Sequence, residues 1–421
     1  MGRFRRESHV FRARDVLRED YQPESLEERG DKLDEYATAL QPIIDGEQPD
    51  NVFLYGPTGV GKTAATHQLL TELQRDAEAY DDVDVHLVEL NCTGLTSSYQ
   101  VAANLVNEFR NPEHQLTSVE VDKDPIPETG YQQKRLMREL RHDLEAVGGT
   151  IVIVLDEVDH IGSNDDILYE LPRARNTYDL DAKLGIIGIS NDYSFREQLG
   201  PRVSDTLCEE ELMFPPYDAT QLTAILEKRA EQAFHDDVEV DAALRLAAAY
   251  AARDRGSARQ ALDILRKAGD IAKRETTADG STAIAVREEH VEQANQLVEQ
   301  QQVLEGIRSL TQHAKLTLLT LCAIEARGET PERTRVIHDQ YQQVARNHDL
   351  SPLKRRRIHD HLSNLDLNGI LNQVEVSSGR GNKNHYELDI SLEAVLQVFE
   401  ETSTDLNAQP VREIAEHSGI L

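Results

Sequence analysis

Tryptophan is absent from the 421 residues, cysteine and methionine number three each, and aromatic side chains make up only 5%. Cys92, Cys208 and Cys322 are odd in number, far apart and without Cys-x-x-Cys spacing. That excludes a disulfide framework and a zinc site and suits a reducing compartment. No window approaches the about 18 uninterrupted apolar residues of a membrane-spanning helix. No apolar stretch follows the arginines of Gly2-Arg3-Phe4-Arg5-Arg6 either. The expectation is a soluble, cytoplasmic chain that is neither secreted nor in a membrane. Lysine is scarce as well: only 11 of the 45 basic residues are Lys, the rest are Arg, and they face 76 Asp and Glu for a formal charge of -31. The acidic residues are spread through every segment, which suits hydration in concentrated salt better than one acidic docking surface. Such a net charge opposes nucleic acid as a partner, so any local basic cluster becomes the informative feature.

The length predicts two or three domains at about 150 residues each. Residues 1–20 carry Arg3, Arg5, Arg6, Arg12, Arg14 and Arg18 against Glu7, Asp15, Glu19 and Asp20, and read as a basic flexible arm. Helical spacing of Leu26, Leu33, Tyr36, Leu40 and Ile43 predicts a helix over 23–44. Apolar strands are predicted at 51–55, 83–90, 150–155 and 184–189, alternating with helices at 64–77, 98–109 and 131–147. That alternation predicts an α/β fold, a doubly wound parallel sheet whose ligand sits beyond the strand C-termini. Pro215-Pro216 marks a boundary, after which the pattern is helical at 219–234, 241–253, 257–274 and 287–310. A third unit follows with helices at 315–325, 334–348 and 352–367. Two strand-like runs, 371–376 and 385–390, then flank a glycine-rich turn, as a winged helix would. The assignment is therefore 21–215 nucleotide-binding domain, 216–305 helical lid, 306–400 winged helix and 401–421 polar tail.

Gly56-Pro57-Thr58-Gly59-Val60-Gly61-Lys62-Thr63 is a full phosphate-loop pattern between a strand and a helix, the context its mechanism requires. Glycines let successive N–H groups turn onto phosphate oxygens at a helix N-terminus. Lys62 reaches the outer phosphates and the Thr63 hydroxyl meets Mg2+, with Ala64 opening the helix proper. Asp156 and Glu157 close an apolar strand; the first suits magnesium through water and the second suits polarising the attacking water. Ser190-Asn191 closes the next strand within reach of a γ-phosphate. Arg202 and Arg259 are candidate guanidinium partners of transferring phosphate.

These residues together resemble the AAA+ ATPases and, more narrowly, the archaeal ORC-type DNA replication proteins of haloarchaea, relatives of the eukaryotic origin recognition complex. The resemblance rests on Tyr21-x-Pro23 with Arg29, residues 51–63, Val154-Leu-Asp-Glu-Val-Asp159, Gly188-Ile-Ser-Asn191, Pro201-Arg-Val-Ser204, Phe214-Pro-Pro-Tyr217 and the stretch 256–265. It implies that Tyr21 and Pro23 lie near adenine, that Asn191 and Arg259 are the two sensors, and that Tyr217 and Arg229 border the nucleotide. It implies too that Arg202 is a finger offered to a neighbouring subunit's ATP, though Ser204-Asp205-Thr206 departs from the usual serines. Residues 93–107 resemble the helical insertion that initiators press against DNA, with Glu108 and Arg110 following.

Between 333 and 357, Arg333, Arg335, Arg346, Lys354, Arg355, Arg356 and Arg357 face only Asp339 and Asp349. Together with Arg380 and Lys383 on the glycine-rich hairpin, they place cations where a recognition helix and wing meet DNA. The family has a similar basic pair at Arg356-Arg357 and a glycine-arginine wing. The expected protein is an ATP-switched initiator that hydrolyses slowly, binds duplex origin DNA near the nucleoid and helps recruit the replicative MCM helicase. The alternative is a clamp-loader-like or signalling ATPase whose winged helix is a docking surface.

Overall fold

The computed structural model describes residues 9–23, 25–111, 124–127, 130, 132–161, 166–192, 195, 199–207, 210–279, 285–348, 350–367, 369–377, 382–401 and 406–420. They form two compact units, Met1–Ala294 and Asn295–Leu421.

The first unit is built on a parallel sheet of β1 (Val52–Tyr55), β2 (Val85–Asn91), β3 (Thr150–Asp156), β4 (Lys183–Ser190) and β5 (Glu210–Met213), ordered β2-β3-β4-β1-β5. Val52, Phe53 and Leu54 are fully buried, as are Ile151, Ile153 and Leu155, because helices cover both faces. The register sets Tyr55 beside Ser190 and Asn91 beside Asp156, so several strands end at one edge of the sheet. β5 was not foreseen: of its four residues only Leu212 is buried, and an edge strand so short shows no apolar run.

Helix α1 (Gly30–Ile44) starts later than its periodicity predicts, because the Leu26 N–H bonds the Gln68 side chain at 3.1 Å instead of entering a helix. Helix α2 (Lys62–Ala77) follows the phosphate loop, and α3 (Ser98–Phe109) and α4 (Gln133–Val147) pack together. The apolar face of α3, from Val101 to Phe109, lies in the sheet's core, and the Arg110 that follows is 6% exposed. Arg110 donates to buried Asp143 at 2.6 Å and to Glu139 at 2.7 Å. The resemblance of 93–107 to a DNA-pressing insertion therefore meets a core helix here, and its neighbouring cation is engaged inside the protein.

Three helices continue the unit: α8 (Ala219–Ala233), capped by Asp218 in a reciprocal box with Gln221, then α9 (Asp241–Asp254) and α10 (Ala258–Asp279). The short helices α5 (Asp166–Glu170) and α6 (Ala174–Tyr178) come between β3 and β4 in the chain, and α7 (Pro201–Leu207) between β4 and β5.

Residues 9–20, expected as a flexible arm, are instead packed on the helical bundle. Val10, Phe11, Val16 and Leu17 are buried. Phe11 stacks on Phe234 at 5.0 Å, and Arg12 N–H donates to the Ala233 carbonyl. Arg14 makes a two-pronged ion pair with Asp270 at 2.8 and 2.6 Å. A Cβ on Gly269 would collide with the Phe11 ring. Arg12 and Arg14 are satisfied by the lid carboxylates Asp236 and Asp270 and Arg18 by Asp20 in its own segment, while the apolar residues between them carry the packing. Residues 1–8, with Arg3, Arg5 and Arg6, lie outside the described residues.

Helix α11 (Glu288–Ser309) runs across the boundary between the units. The second unit packs α12 (Gln312–Glu325), α13 (Thr334–Asn347) and α14 (Arg355–Leu367) against β6 (Glu332–Arg333), β7 (Leu371–Ser377) and β8 (Asn382–Leu388), in sheet order β6-β8-β7. β7 and β8 pair antiparallel from Leu371 with Leu388 to Ser377 with Asn382. Ile358, Leu362 and Leu365 are fully buried, which fixes the inward face of α14. Two more helices, α15 (Leu392–Glu401) and α16 (Gln409–Ser418), close the unit. The expected polar tail is corrected in part: Leu406, Ala408, Val411 and Ala415 join the core.

Candidate nucleotide site and nucleic-acid interface

The phosphate loop is locked by contacts that demand glycine. Gly56, Gly59 and Gly61 have φ of 154°, 82° and 94°. A side chain on Gly59 would strike the Ser257 hydroxyl, and one on Gly56 the Phe214 carbonyl. The Ala258 N–H at the start of α10 donates to the Gly59 carbonyl at 2.9 Å, so the bundle touches the loop directly.

Lys62 is 4% exposed, and its Nζ donates to the carbonyls of Gly56 and Pro57 at 2.8 and 2.9 Å and to Asn191 Oδ1 at 2.8 Å. Burial lowers its pKa to about 8, and nearby Asp156 only partly offsets this. Thr63 Oγ1 donates to Asp156 Oδ2 at 2.9 Å, while Asp156 Oδ1 accepts the Glu157 N–H at 2.9 Å. Burial raises the Asp156 pKa against those two hydrogen bonds. Glu157 has a positive φ of 55° and accepts from the Thr93 hydroxyl and, at 3.5 Å, from Asn191 Nδ2. The Asn191 N–H in turn donates to Asp159 at 3.2 Å.

Lys62, Thr63, Asp156, Glu157 and Asn191 are thus brought into one bonded group at the ends of β1, β3 and β4. Thr93, just beyond β2, was missed by sequence reasoning; its signal was a hydroxyl following a buried strand that ends beside Asp156.

The ring of Tyr21 lies 4.5 Å from the Arg229 guanidinium, and its hydroxyl donates to Gln232. Half-buried Pro23 is two residues on. Tyr217 is buried, its hydroxyl beside Gly61, and its N–H donates to the Gly256 carbonyl at 3.0 Å. Exposed Arg259 pairs with Glu19 at 3.4 Å. Pro57, Thr58 and Val60 complete the loop, Thr58 exposed and Val60 buried, and Ala64 is half-buried. Arg202 stands exposed on the first turn of α7.

In the second unit Lys354, Arg355, Arg356 and Arg357 are all exposed at the start of α14, as are Arg335 and Arg346 on α13. Arg333 Nε donates to His385 Nε2 at 3.1 Å, which ties the start of α13 to β8. Lys383 lies on β8, its side chain outside the described residues, and Arg380 lies outside them altogether.

A P-loop sheet with paired acidic residues, a helical lid and a separate winged helix defines an ATPase of the AAA+ class. Family models agree with each part: an AAA domain matches residues 45–199, a Cdc6 AAA+ ATPase-type lid domain 223–296, and the C-terminal winged helix domain of CDC6 305–398.

Full-length relatives narrow this further. The chain is 49% identical to ORC1-type DNA replication protein 10 of Halobacterium salinarum, covering 100% of this chain and 99% of that protein. It is also 49% identical to ORC1-type DNA replication protein 15 of Haloarcula marismortui, covering 99% and 98%. The structure of the Aeropyrum pernix ORC1 protein in complex with DNA superposes with a TM-score of 0.77 at 36% identity, over 94% of this chain and 98% of that one. The chain belongs to the family of ORC1-type DNA replication proteins, which favours the initiator reading over the clamp-loader-like and signalling alternatives.

Among the described residues no helix is long and apolar enough to cross a membrane. Cys92 and Cys322 are buried free thiols, and Cys208 lies outside the described residues.

Proposed function

We propose that this protein is an ATP-switched replication initiator: it binds duplex origin DNA through its winged helix, hydrolyses ATP slowly, and helps recruit the MCM helicase. The observation that carries the nucleotide half is Lys62, a buried cation whose acceptors are two carbonyls and an amide. Among the described residues it makes no ion pair. A buried ammonium with only neutral acceptors is costly, and an anionic ligand offsets that cost.

The residues fit ATP and Mg2+. Thr63 and Asp156 would hold the metal; two such groups alone are too few, but Mg2+ commonly binds through one or two carboxylates plus phosphates and water. Bound Mg2+ neutralises charge on the phosphate oxygens. Lys62 leaves the Gly56 and Pro57 carbonyls for phosphate, which lets Asn191 turn from Lys62 to the γ-phosphate. Glu157 retains lone pairs outside the Thr93 bond with which to polarise the attacking water, while that bond holds its carboxylate in place. Tyr21, Pro23, Tyr217 and Arg229 bound the base, and Arg259 reaches the γ-phosphate from the lid, so loss of that phosphate releases lid and Asn191 together. Arg202 acts on a neighbouring initiator subunit's nucleotide.

The DNA half rests on the exposed start of α14, with Arg333, Arg335, Lys354, Arg355, Arg356, Arg357, Arg380 and Lys383 as its cations. In a salt-rich, nucleoid-containing cytoplasm, a protein making about six to ten phosphate contacts loses about three to five decades of affinity over a fourfold rise in salt. Recognition must then lean on base readout and DNA shape.

The first test is ATP binding by Lys62→Ala, which should be lost; retained binding would remove the basis of the reading. The second is selection from a genomic fragment library in molar KCl with ATP and magnesium. Recovery of a few fragments sharing an element supports the initiator, and uniform retention opposes it.

A further inference from the structure

Arg29 stands outside every role assigned above, yet it is 4% exposed, and among the described residues it makes no ion pair with a carboxylate. Its Nε donates to the Val60 carbonyl at 3.2 Å and its Nη2 to the Pro215 carbonyl at 2.6 Å. The guanidinium lies 3.6 Å from the centre of the Tyr217 ring. A buried cation whose partners are two carbonyls and the ring and hydroxyl of Tyr217, with no carboxylate among them, is expensive for folding alone.

Its two carbonyls are unlike ordinary helix or strand acceptors. Val60 sits inside the phosphate loop, and Pro215 begins the segment that leads from β5 to α8. Carbonyl and N–H of one trans peptide point in opposite directions, so a guanidinium that holds the Val60 carbonyl also sets the direction of the Gly61 N–H. A bond accepted by the carbonyl strengthens the N–H of the same peptide as a donor.

We propose that Arg29 is a positioning residue for nucleotide binding: it fixes the Val60–Gly61 peptide of the phosphate loop and ties it to Pro215 and Tyr217 at the root of the lid. This rests on reading the loop as the ATP site. The test uses the full chain and fluorescent ADP and ATPγS, well below the melting temperature, with Arg29→Met, Arg29→Lys and Lys62→Ala measured side by side.

Arg29→Met is expected to melt no lower than the parent without nucleotide, yet to bind both nucleotides about tenfold more weakly. Arg29→Lys keeps the charge without the two-pronged reach and is expected to weaken binding as well. A purely structural residue would do the reverse, lowering the melting temperature and leaving both dissociation constants unchanged; that result overturns the proposal. If Arg29→Met does not melt cooperatively, Arg29→Lys decides by its dissociation constants alone. Loss of binding in Lys62→Ala with none in the Arg29 variants sinks the proposal only. Full binding in Lys62→Ala sinks the nucleotide reading beneath it.

Discussion

The two regions argued to carry function use cations in opposite ways. At the phosphate loop Lys62 and Arg29 are each 4% exposed, and every donor described above has a defined acceptor. At the start of α14, Lys354 to Arg357 are exposed. A buried cation is costly until its ligand arrives, so it couples binding to stability. An exposed cation costs the fold little and couples binding to salt instead.

The sharpest way to break this contrast is with a buried cation far from any ligand. Arg110→Ala removes the guanidinium that bonds both oxygens of Asp143, whose side chain is fully buried. It should lower unfolding free energy by about 3–5 kcal/mol in chemical denaturation, with nucleotide affinity unchanged while the protein stays folded.

Lys62 comes next. Its pKa falls from 10.5 to about 8 in the folded protein, so the unfolded chain holds more protons between these values. The cost of burying the charge is full below pH 8 and shrinks as pH rises toward 10.5, so stability from this group increases with pH. Lys62→Met, which carries no such charge, should be the more stable protein without nucleotide below pH 8. That advantage, on the order of 3 kcal/mol, should close by pH 10.5; pH-dependent denaturation of both proteins reads it.

Arg356→Ala and Arg357→Ala sharpen the exposed side. Thermal stability should move by less than about 0.5 kcal/mol. For a phosphate contact, the slope of log affinity against log salt should fall by about one. The smallest effect is expected of Glu19→Gln, which releases the exposed Arg259. ATPγS should bind at most severalfold tighter relative to ADP, and equal changes for both ligands would remove Glu19 from the switch.

Much of the site was legible because a motif is a geometric requirement written in consecutive residues. The loop from Gly56 to Thr63 must turn with positive φ, and its match places Lys62 without further information. Asp156, Glu157 and Asn191 could be placed because buried strands end where polar residues begin. Thr93 and Arg29 were harder, since each bonds a residue remote in sequence: Glu157 for the first, Val60 and Pro215 for the second. The packed N-terminal segment was misread because its arginines were counted as free charge, whereas Arg12 and Arg14 pair with Asp236 and Asp270. β5 and the last helix were missed for want of apolar residues, their burial coming from neighbours elsewhere in the chain.

The contact between Gly269 and Phe11 reaches beyond packing into how such a chain can vary. A methyl group at 269 would unseat the Phe11 ring, and with it a segment that continues into Glu19, Tyr21 and Pro23. A side chain at 269 therefore requires the Phe11 ring to move. The chain's beginning, which by charge and location invites trimming or replacement, inherits the constraint of a buried helix. A tag joined before Val10 must leave that ring in its seat if the segment carrying Tyr21 and Pro23 is to keep its place.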